Sequence, residues 1–311
     1  MIIDLPDTTT SQVAKQLVTV REDGGAVALG RVLTLIISAR NGVAEAAIDA
    51  ANDASREHPM RVIVLTTGEG ESRLDAQIRV GGDAGASEVV VLHAYGDAAS
   101  NEESLVTGLL LPDAPVVAWW PEDAPDNPAQ SPLGRIAQRR ITDAATASDV
   151  REQLAVLGSS HAPGDTDLAW TRLTHWREQL AAVLDQPPYE TVTAVEVLGA
   201  AASPSTALLA AWLQLSLDVP VQWHFEDPSH WEVGIKSVRL TRASGDILLE
   251  RPESSVAVLT QPGQPDHELH LPRRTLRECL AEELRRLDPD VLYGRVITEG
   301  WEKLGPPETG A

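Results

Sequence analysis

The chain has 311 residues, 43% of them hydrophobic, and a formal net charge of −21 at pH 7. These values are typical of a globular protein of two domains, and the negative charge makes nucleic acid and anionic membranes poor partners. No apolar run reaches the roughly 20 residues that a membrane helix needs, and the first residues lack a secretory signal, so we expect a cytoplasmic protein.

The first half of the chain alternates between helical and strand-like patterns. Apolar residues at helical spacing predict three helices, over residues 10–20, 43–55 and 102–110. Asn41 is expected to cap the second of them. Apolar runs predict four strands, over residues 32–38, 61–66, 88–94 and 115–120. Residues 74–80 alternate between apolar and polar side chains, which predicts a half-exposed strand at the edge of a sheet.

Two adjacent tryptophans, Trp119 and Trp120, end the last of these strands, and a segment with Arg135, Arg139 and Arg140 follows. Neighbouring residues of a strand point to opposite faces, so the two indole rings cannot share one core. Either both rings are buried between layers on the two sides of a sheet, or one is exposed beside the arginines. Because tryptophan and arginine are enriched at binding hot spots, the second alternative makes these five residues a candidate partner interface.

The second half of the chain begins with two well-marked helices. Asp167 is expected to cap a helix over residues 168–184. Ser203 is expected to cap a second helix, which begins at Pro204 and is apolar almost all round. Such a helix must lie at the centre of its domain.

Closely spaced strand patterns fill most of the remaining chain, over residues 192–198, 219–225, 233–241, 246–250, 255–259 and 267–271. The spacing of the last four indicates an antiparallel meander. A final helix starts at the capping box of Thr275 and Glu278 and places Cys279, the single cysteine, on its core side. We therefore expect two α/β domains with mixed sheets, residues 1–160 and 161–311, the second with this meander and a C-terminal helix.

The junction at residues 199–206, GAAASPST, is the candidate ligand loop. Small residues let a ligand approach the backbone, and three hydroxyls, of Ser203, Ser205 and Thr206, lie at the start of a helix, where anions bind favourably. The alternative is an ordinary capped loop between a strand and a helix, since capping alone explains a serine at position 203.

Two histidine-containing segments offer weaker candidates. His224 and Glu226 would share a strand face and could act as a base and its orienting group, but polar packing at a strand end is the favoured explanation of these residues. His267 and His270 are three residues apart in a strand pattern, so they point to opposite faces and do not form a metal site. No phosphate loop, complete GxGxxG fingerprint or GxSxG elbow occurs, and we expect no catalytic residue, cofactor or metal.

Four blocks of the sequence, in this order, resemble the OpcA family of glucose-6-phosphate dehydrogenase assembly proteins. They are LLLPDAPVVAWWP, RRITDA, DLAWTRLTHWREQLA and ALLAAWLQLSL, at residues 109–121, 139–144, 167–181 and 207–217. The resemblance implies a cytoplasmic, non-catalytic partner of glucose-6-phosphate dehydrogenase that promotes the active oligomer of that enzyme in the oxidative pentose phosphate pathway. Some relatives respond to redox state through cysteines, but with Cys279 alone an intramolecular thiol switch is excluded.

A second hypothesis remains beside this one. The chain could be an enzyme or sensor that binds a sugar phosphate or a nicotinamide nucleotide at residues 199–206. Self-association is left open by the sequence.

Overall fold

The structure, a computed structural model, describes residues 1–23, 32–40, 44–81, 88–201, 203–226, 231, 233–253 and 255–307. The expected cap Asn41 lies outside these residues. The chain divides into two compact units. Unit 1 comprises Met1–Asp143, Gly164–Thr166 and Leu276–Pro289, and unit 2 comprises Ala144–Pro163, Asp167–Thr275 and Asp290–Ala311. The domain boundary placed at residue 160 stays a prediction.

Helices account for more of the described residues than strands do. The strands are β1 (Ile2–Leu5), β2 (Leu33–Ser38), β3 (Met60–Gly68), β4 (Arg73–Arg79), β5 (Glu88–Tyr95), β6 (Val116–Trp119), β7 (Arg139–Thr142), β8 (Asp165–Asp167), β9 (Ala194–Gly199), β10 (Val221–Phe225), β11 (Ile235–Thr241), β12 (Ile247–Glu250), β13 (Val256–Thr260) and β14 (His267–His270). The α-helices are α1 (Thr10–Asp23), α2 (Ala44–Ala54), α3 (Glu102–Thr107), α4 (Pro132–Ile136), α5 (Val150–Ser160), α6 (Leu168–Thr171), α7 (Thr174–Leu184), α8 (Pro204–Leu217), α9 (Leu276–Arg285), α10 (Val291–Arg295) and α11 (Trp301–Lys303). No helix among them is long and apolar enough to cross a membrane.

Unit 1 is built on a mixed sheet with the strand order β1-β4-β5-β3-β2-β6-β7-β8. The strands from β5 to β7 in that order run parallel, and β1 and β4 are antiparallel to their neighbours. Their apolar runs are buried on both faces, as a parallel sheet between helical layers requires. The mixed sheet is confirmed.

Strand β4 has the predicted alternation but not the predicted position. Its buried residues alternate with residues that are mostly half-buried, yet β1 pairs with its outer side, so β4 is not an edge strand. Alternation of apolar and polar residues indicates that one face of an antiparallel strand is in contact with solvent. An inner strand shows this pattern as readily as an edge strand does.

Unit 2 contains a second sheet with the order β10-β9-β11-β12-β13-β14. Strands β9 and β10 are parallel, and the remaining pairs are antiparallel, so the predicted meander over β11 to β14 is confirmed. Helix α8 lies at the centre of the hydrophobic core, as its uniformly apolar surface predicted. Its neighbour is a π-helical turn, Val296–Gly300, which comes so close that a Cβ on Gly300 would lie 2.8 Å from the carbonyl oxygen of Ala211.

The helix predicted over residues 168–184 is present as two pieces, α6 and α7. Its cap is confirmed, because the Asp167 carboxylate accepts a hydrogen bond from the Ala169 amide at 2.8 Å. The fold class as a whole, α/β with two mixed sheets, is confirmed.

Candidate functional site

The paired tryptophans of the candidate interface are both buried. Trp119 is 0% exposed and Trp120 is 5% exposed, and the Trp120 ring packs with Leu133 and Ala137 in one core. Strand alternation places Trp119 on the opposite face of the sheet of unit 1. The indole Nε1 of Trp119 has no hydrogen-bond partner in the described part of the chain. The first of the two alternatives, burial on both sides of the sheet, therefore describes these rings.

Two of the arginines in the same segment are also buried, in ion pairs within unit 1. Arg139 pairs with Glu283 on α9, and Arg140 pairs with Asp165 on β8. Both arginines belong to strand β7, and a buried charge without its partner would be strongly destabilising. Their role in the structure is thus to join neighbouring elements of unit 1.

Arg135 is the exposed member of the five. Its side chain is 53% exposed and lies 3.2 Å from a carboxylate oxygen of Glu103. The predicted interface needs correction accordingly, since four of its residues are in the interior and only Arg135 is available to a partner on this surface. Contact with a partner at Arg135 stays a prediction.

The hydroxyls of the candidate ligand loop are buried at the start of α8. Pro204 is the first residue of the helix, as predicted, but the Ser203 side chain makes no capping hydrogen bond. The Ser205 hydroxyl donates to the carbonyl of Ala169 at 2.9 Å. The Thr206 hydroxyl is 0% exposed, has no partner among the described residues, and faces Gly199, where a Cβ would lie 2.4 Å from it.

A cavity of about 450 Å³ opens beside this helix start, entirely within unit 2. We call it the arginine cavity, because four arginines line it together with Ser203 and Ser205: Arg172, Arg251, Arg273 and Arg274. Apolar side chains, among them Trp176, cover the rest of its wall. The described residues that line the cavity include no aspartate or glutamate.

Arg251 has an unusual environment for a cation. It is 3% exposed, and its Nε and Nη2 donate to the carbonyl oxygen of Leu271 at 3.1 and 2.7 Å. Its guanidinium lies 5.1 Å from the centre of the Trp176 ring. Burial, and to a smaller degree the charge of Arg273, lowers the pKa of Arg251 to about 10. No carboxylate of the described residues pairs with it.

Arg273 lies at the exposed side of the cavity. Its Nη2 donates to the carbonyl of Val233 at 2.9 Å, and its guanidinium lies 5.0 Å from the centre of the Trp231 ring. Sequence reasoning missed all four arginines. They come from three distant segments of the chain, and only folding brings them close to the candidate ligand loop at residues 199–206.

The structure does not bring His224 and Glu226 together. His224 Nε2 is 3.6 Å from Glu196, whereas Glu226 accepts a hydrogen bond from Lys236 at 2.7 Å. The rest of that segment, residues 227–230, lies outside the described residues. Within the described part, no three His, Cys, Asp or Glu side chains are grouped so that they could hold a metal ion. Cys279 is buried, as predicted.

Comparison with protein families identifies two regions of the chain. Residues 51–159 match the model described as the glucose-6-phosphate dehydrogenase subunit N-terminal domain, and residues 163–297 match that of its C-terminal domain. The chain belongs to the OpcA family. The resemblance of the four sequence blocks is thereby confirmed, and the OpcA-type assembly domains extend over most of both units.

Solved structures show only distant likeness to this OpcA-family chain, and no curated protein matches it. Glucose-6-phosphate 1-dehydrogenase from Mycobacterium avium is 12% identical, with a TM-score of 0.43 over 90% of this chain and 94% of the other. An oxidoreductase from Thermotoga maritima is 10% identical, with a TM-score of 0.40 over 87% and 95%. An oxidoreductase from Sinorhizobium meliloti is 10% identical, with a TM-score of 0.43 over 85% and 86%. At these scores the likeness supports no argument about activity.

Proposed function

We propose that this chain is a non-catalytic subunit that binds glucose-6-phosphate dehydrogenase and promotes its active oligomer. The observation that carries the proposal is the match of both subunit domains, N-terminal and C-terminal, over residues 51–297. A chain with this role acts in the cytoplasm, where the oxidative pentose phosphate pathway operates.

Such a subunit works by differential affinity and needs no reactive group of its own. A protein that binds the active state of the dehydrogenase more tightly than the inactive state shifts the equilibrium toward the active state. A shift from mostly inactive to mostly active requires on the order of 5 kcal/mol of differential binding. A protein interface of ordinary size can supply this from a few anchor residues.

The direct test is to mix the purified chain with purified glucose-6-phosphate dehydrogenase and to measure masses by size exclusion with light scattering. The proposal expects a complex whose mass contains both proteins, and more of the dehydrogenase in its larger oligomer. Separate elution of the two proteins at micromolar concentrations, with an unchanged dehydrogenase mass, would falsify the proposal.

The candidate interface is tested by reversing the charge of its exposed member. Arg135→Glu should weaken the complex by about tenfold or more if this residue contacts the dehydrogenase, because a charge reversal in an interface places like charges together. Arg295→Glu is a matched control, since Arg295 is also 53% exposed and also pairs with a glutamate, Glu299, at 3.3 Å. Equal affinity of the two variants would place the interface elsewhere.

The arginine cavity favours a second candidate function, that of an enzyme or sensor for a sugar phosphate or nicotinamide nucleotide. The supporting observation is that Ser203 and Ser205 of the candidate loop lie in the wall of a cavity with four arginines. Conversion of such a compound by the isolated chain would support an enzyme, whereas binding without conversion would support a sensor.

A further inference from the structure

The arginine cavity contains positive charge that the described chain does not neutralise. Arg251 and Arg273 both line it, and within the described part of the chain their polar contacts are backbone carbonyls and indole rings, without an ion pair. A buried cation without an anion is expensive in a protein interior, so an anion in the cavity would stabilise the folded chain.

The start of α8 adds to the same positive potential. The first turn of this 14-residue helix contains no acidic side chain that would offset its dipole. Ser203, which precedes it, is 9% exposed and lines the cavity, yet its hydroxyl makes no capping hydrogen bond. A hydroxyl that is unused by its own helix and lies in a cavity wall with guanidinium groups is suited to donate to an oxyanion.

The size and the walls of the cavity restrict the ligand. A volume of about 450 Å³ lies in the lower half of the range of roughly 300–1,000 Å³ that is usual for small-molecule sites. Trp176, Ile235 and Pro204 give part of the wall an apolar character. The cavity therefore suits one compact anionic group on a small organic body better than a bare polyanion.

We propose that the arginine cavity is a binding site for a phosphomonoester, whose phosphoryl group lies between Arg251, Arg273 and the Ser203 hydroxyl. Guanidinium groups bind phosphate oxygens in pairs of parallel hydrogen bonds, and the helix start contributes further positive potential. The organic body lies along the apolar wall. This inference specifies the second candidate function and does not depend on binding of the dehydrogenase.

The experiment is calorimetric titration of the full chain with inorganic phosphate, ribose 5-phosphate, glucose 6-phosphate and the uncharged sugars glucose and ribose. We expect phosphate to bind, at least one monoester to bind about tenfold more tightly than phosphate, and the uncharged sugars not to bind. Phosphate binding without any gain from a monoester would mean a site for the free ion and would overturn the assignment of the organic body.

Substitutions of residues in the cavity wall test whether the ligand binds in the arginine cavity. Arg273→Gln should weaken binding of the best monoester by about tenfold or more, since a charged hydrogen-bonding group is lost, and its exposed position lets the variant fold. Ser203→Ala should weaken it by a few fold. Arg295→Gln, at an exposed arginine outside the cavity wall, is the control and should bind as the wild-type chain does.

Two further outcomes overturn the proposal as a whole. One is that neither phosphate nor a monoester binds, and the other is that Arg273→Gln binds them as tightly as Arg295→Gln. If phosphate fails to bind and Arg273→Gln instead abolishes binding of the dehydrogenase, then the cavity receives an acidic segment of that protein. A chain that binds the dehydrogenase but no phosphate contradicts this inference alone, and the reverse result contradicts the assembly function alone.

Discussion

Two buried arginines of this chain stand in opposite electrostatic situations. Arg61 is 5% exposed and pairs with the carboxylate of Glu88 at 2.7 Å, whereas Arg251 is 3% exposed and, among the described residues, has a carbonyl oxygen and an indole ring as partners. The environment of Arg61 is typical of a structural ion pair, and that of Arg251 is typical of a site that binds an anion. The difference supports a binding role for Arg251.

The lowered pKa of Arg251 fixes the sign of its effect on stability. Its pKa in the folded chain is about 10, well below the ordinary value of an arginine, so the folded chain holds this proton less tightly than the unfolded chain does. Protonated Arg251 therefore lowers the free energy of unfolding at every pH below about 10, and this penalty is relieved as the pH rises above about 10.

Replacement of the two arginines by methionine tests this contrast. Arg61→Met leaves Glu88 buried without this arginine and should lower the free energy of unfolding by about 3–5 kcal/mol. Arg251→Met removes a buried charge that has no carboxylate partner among the described residues, so its loss should be smaller by at least about 2 kcal/mol. Urea unfolding at pH 7 in a phosphate-free buffer measures both, and equal losses would mean that Arg251 is an ordinary structural arginine.

For single residues, the sequence predicts to which face of a strand a side chain points, but it does not predict whether that side chain is exposed. That Trp119 and Trp120 point to opposite faces follows from their adjacency in a strand. That both are buried depends on layers contributed by distant segments, and the same holds for Arg139 and Arg140. Strand β7 contains these two arginines and therefore lacks the apolar run from which the other strands were predicted. The ion pairs of the arginines with Glu283 and Asp165 could not be predicted for the same reason.

At the scale of elements, the start of α8 differs from an ordinary capped helix. Asp149 caps α5 by accepting hydrogen bonds from the amides of Arg151 and Glu152, both at 3.0 Å. Ser203 occupies the equivalent position of α8 without such a bond. The sequence predicts a cap at Ser203 by residue type, but residue type does not reveal whether the hydroxyl turns toward the helix or toward a cavity.

The two caps can be compared by alanine substitution. Asp149→Ala should lower the free energy of unfolding by about 1 kcal/mol, the usual value of a helix cap. Ser203→Ala should lower it by less than about 0.5 kcal/mol, because no capping bond is lost. Thermal or urea unfolding in the absence of phosphate gives both values. A loss at Ser203 as large as that at Asp149 would show that its hydroxyl serves the helix.

Close packing between helical elements of unit 2 makes a further prediction. A Cβ at Gly158 on α5 would lie 2.5 Å from the carbonyl oxygen of Ile297, a backbone atom that cannot move independently. Gly158→Ala should therefore cost about 1–3 kcal/mol in urea unfolding, the usual range for overpacking. Gly305→Ala, where no atom of the described residues lies within 4 Å of the added Cβ, should be nearly neutral. Equal stability of the two variants would contradict the packing described here.

At the scale of the whole molecule, the alternation of helices and strands predicted two α/β units with mixed sheets, and the four sequence blocks predicted the family. The assignment of segments to units was harder to foresee. Helix α9 follows the meander of unit 2 along the chain but is part of unit 1, where it contacts α2 and its Arg277 pairs with Asp53 of that helix at 3.6 Å. Such long-range pairing leaves no local pattern in the sequence.

Prediction of the candidate site from the sequence is limited in the same way, because most of its residues are far apart along the chain. The hydroxyls at residues 203–206 could be read from the chain because they are contiguous at a strand-to-helix junction. The arginines that give the cavity its charge are separated by up to about a hundred residues, and only the folded unit 2 unites them. The sequence thus located the loop, whereas the cavity and its charge required the structure.

Titration of glucose-6-phosphate dehydrogenase with this chain, followed by the initial rate of the dehydrogenase, tests whether the chain acts by binding that enzyme. We expect a saturable rise in the rate that reaches a plateau at a fixed ratio of the two proteins, and no turnover by the chain alone. A rate that stays constant up to a large excess of the folded chain, or turnover of glucose 6-phosphate by the chain alone, would contradict the assembly function.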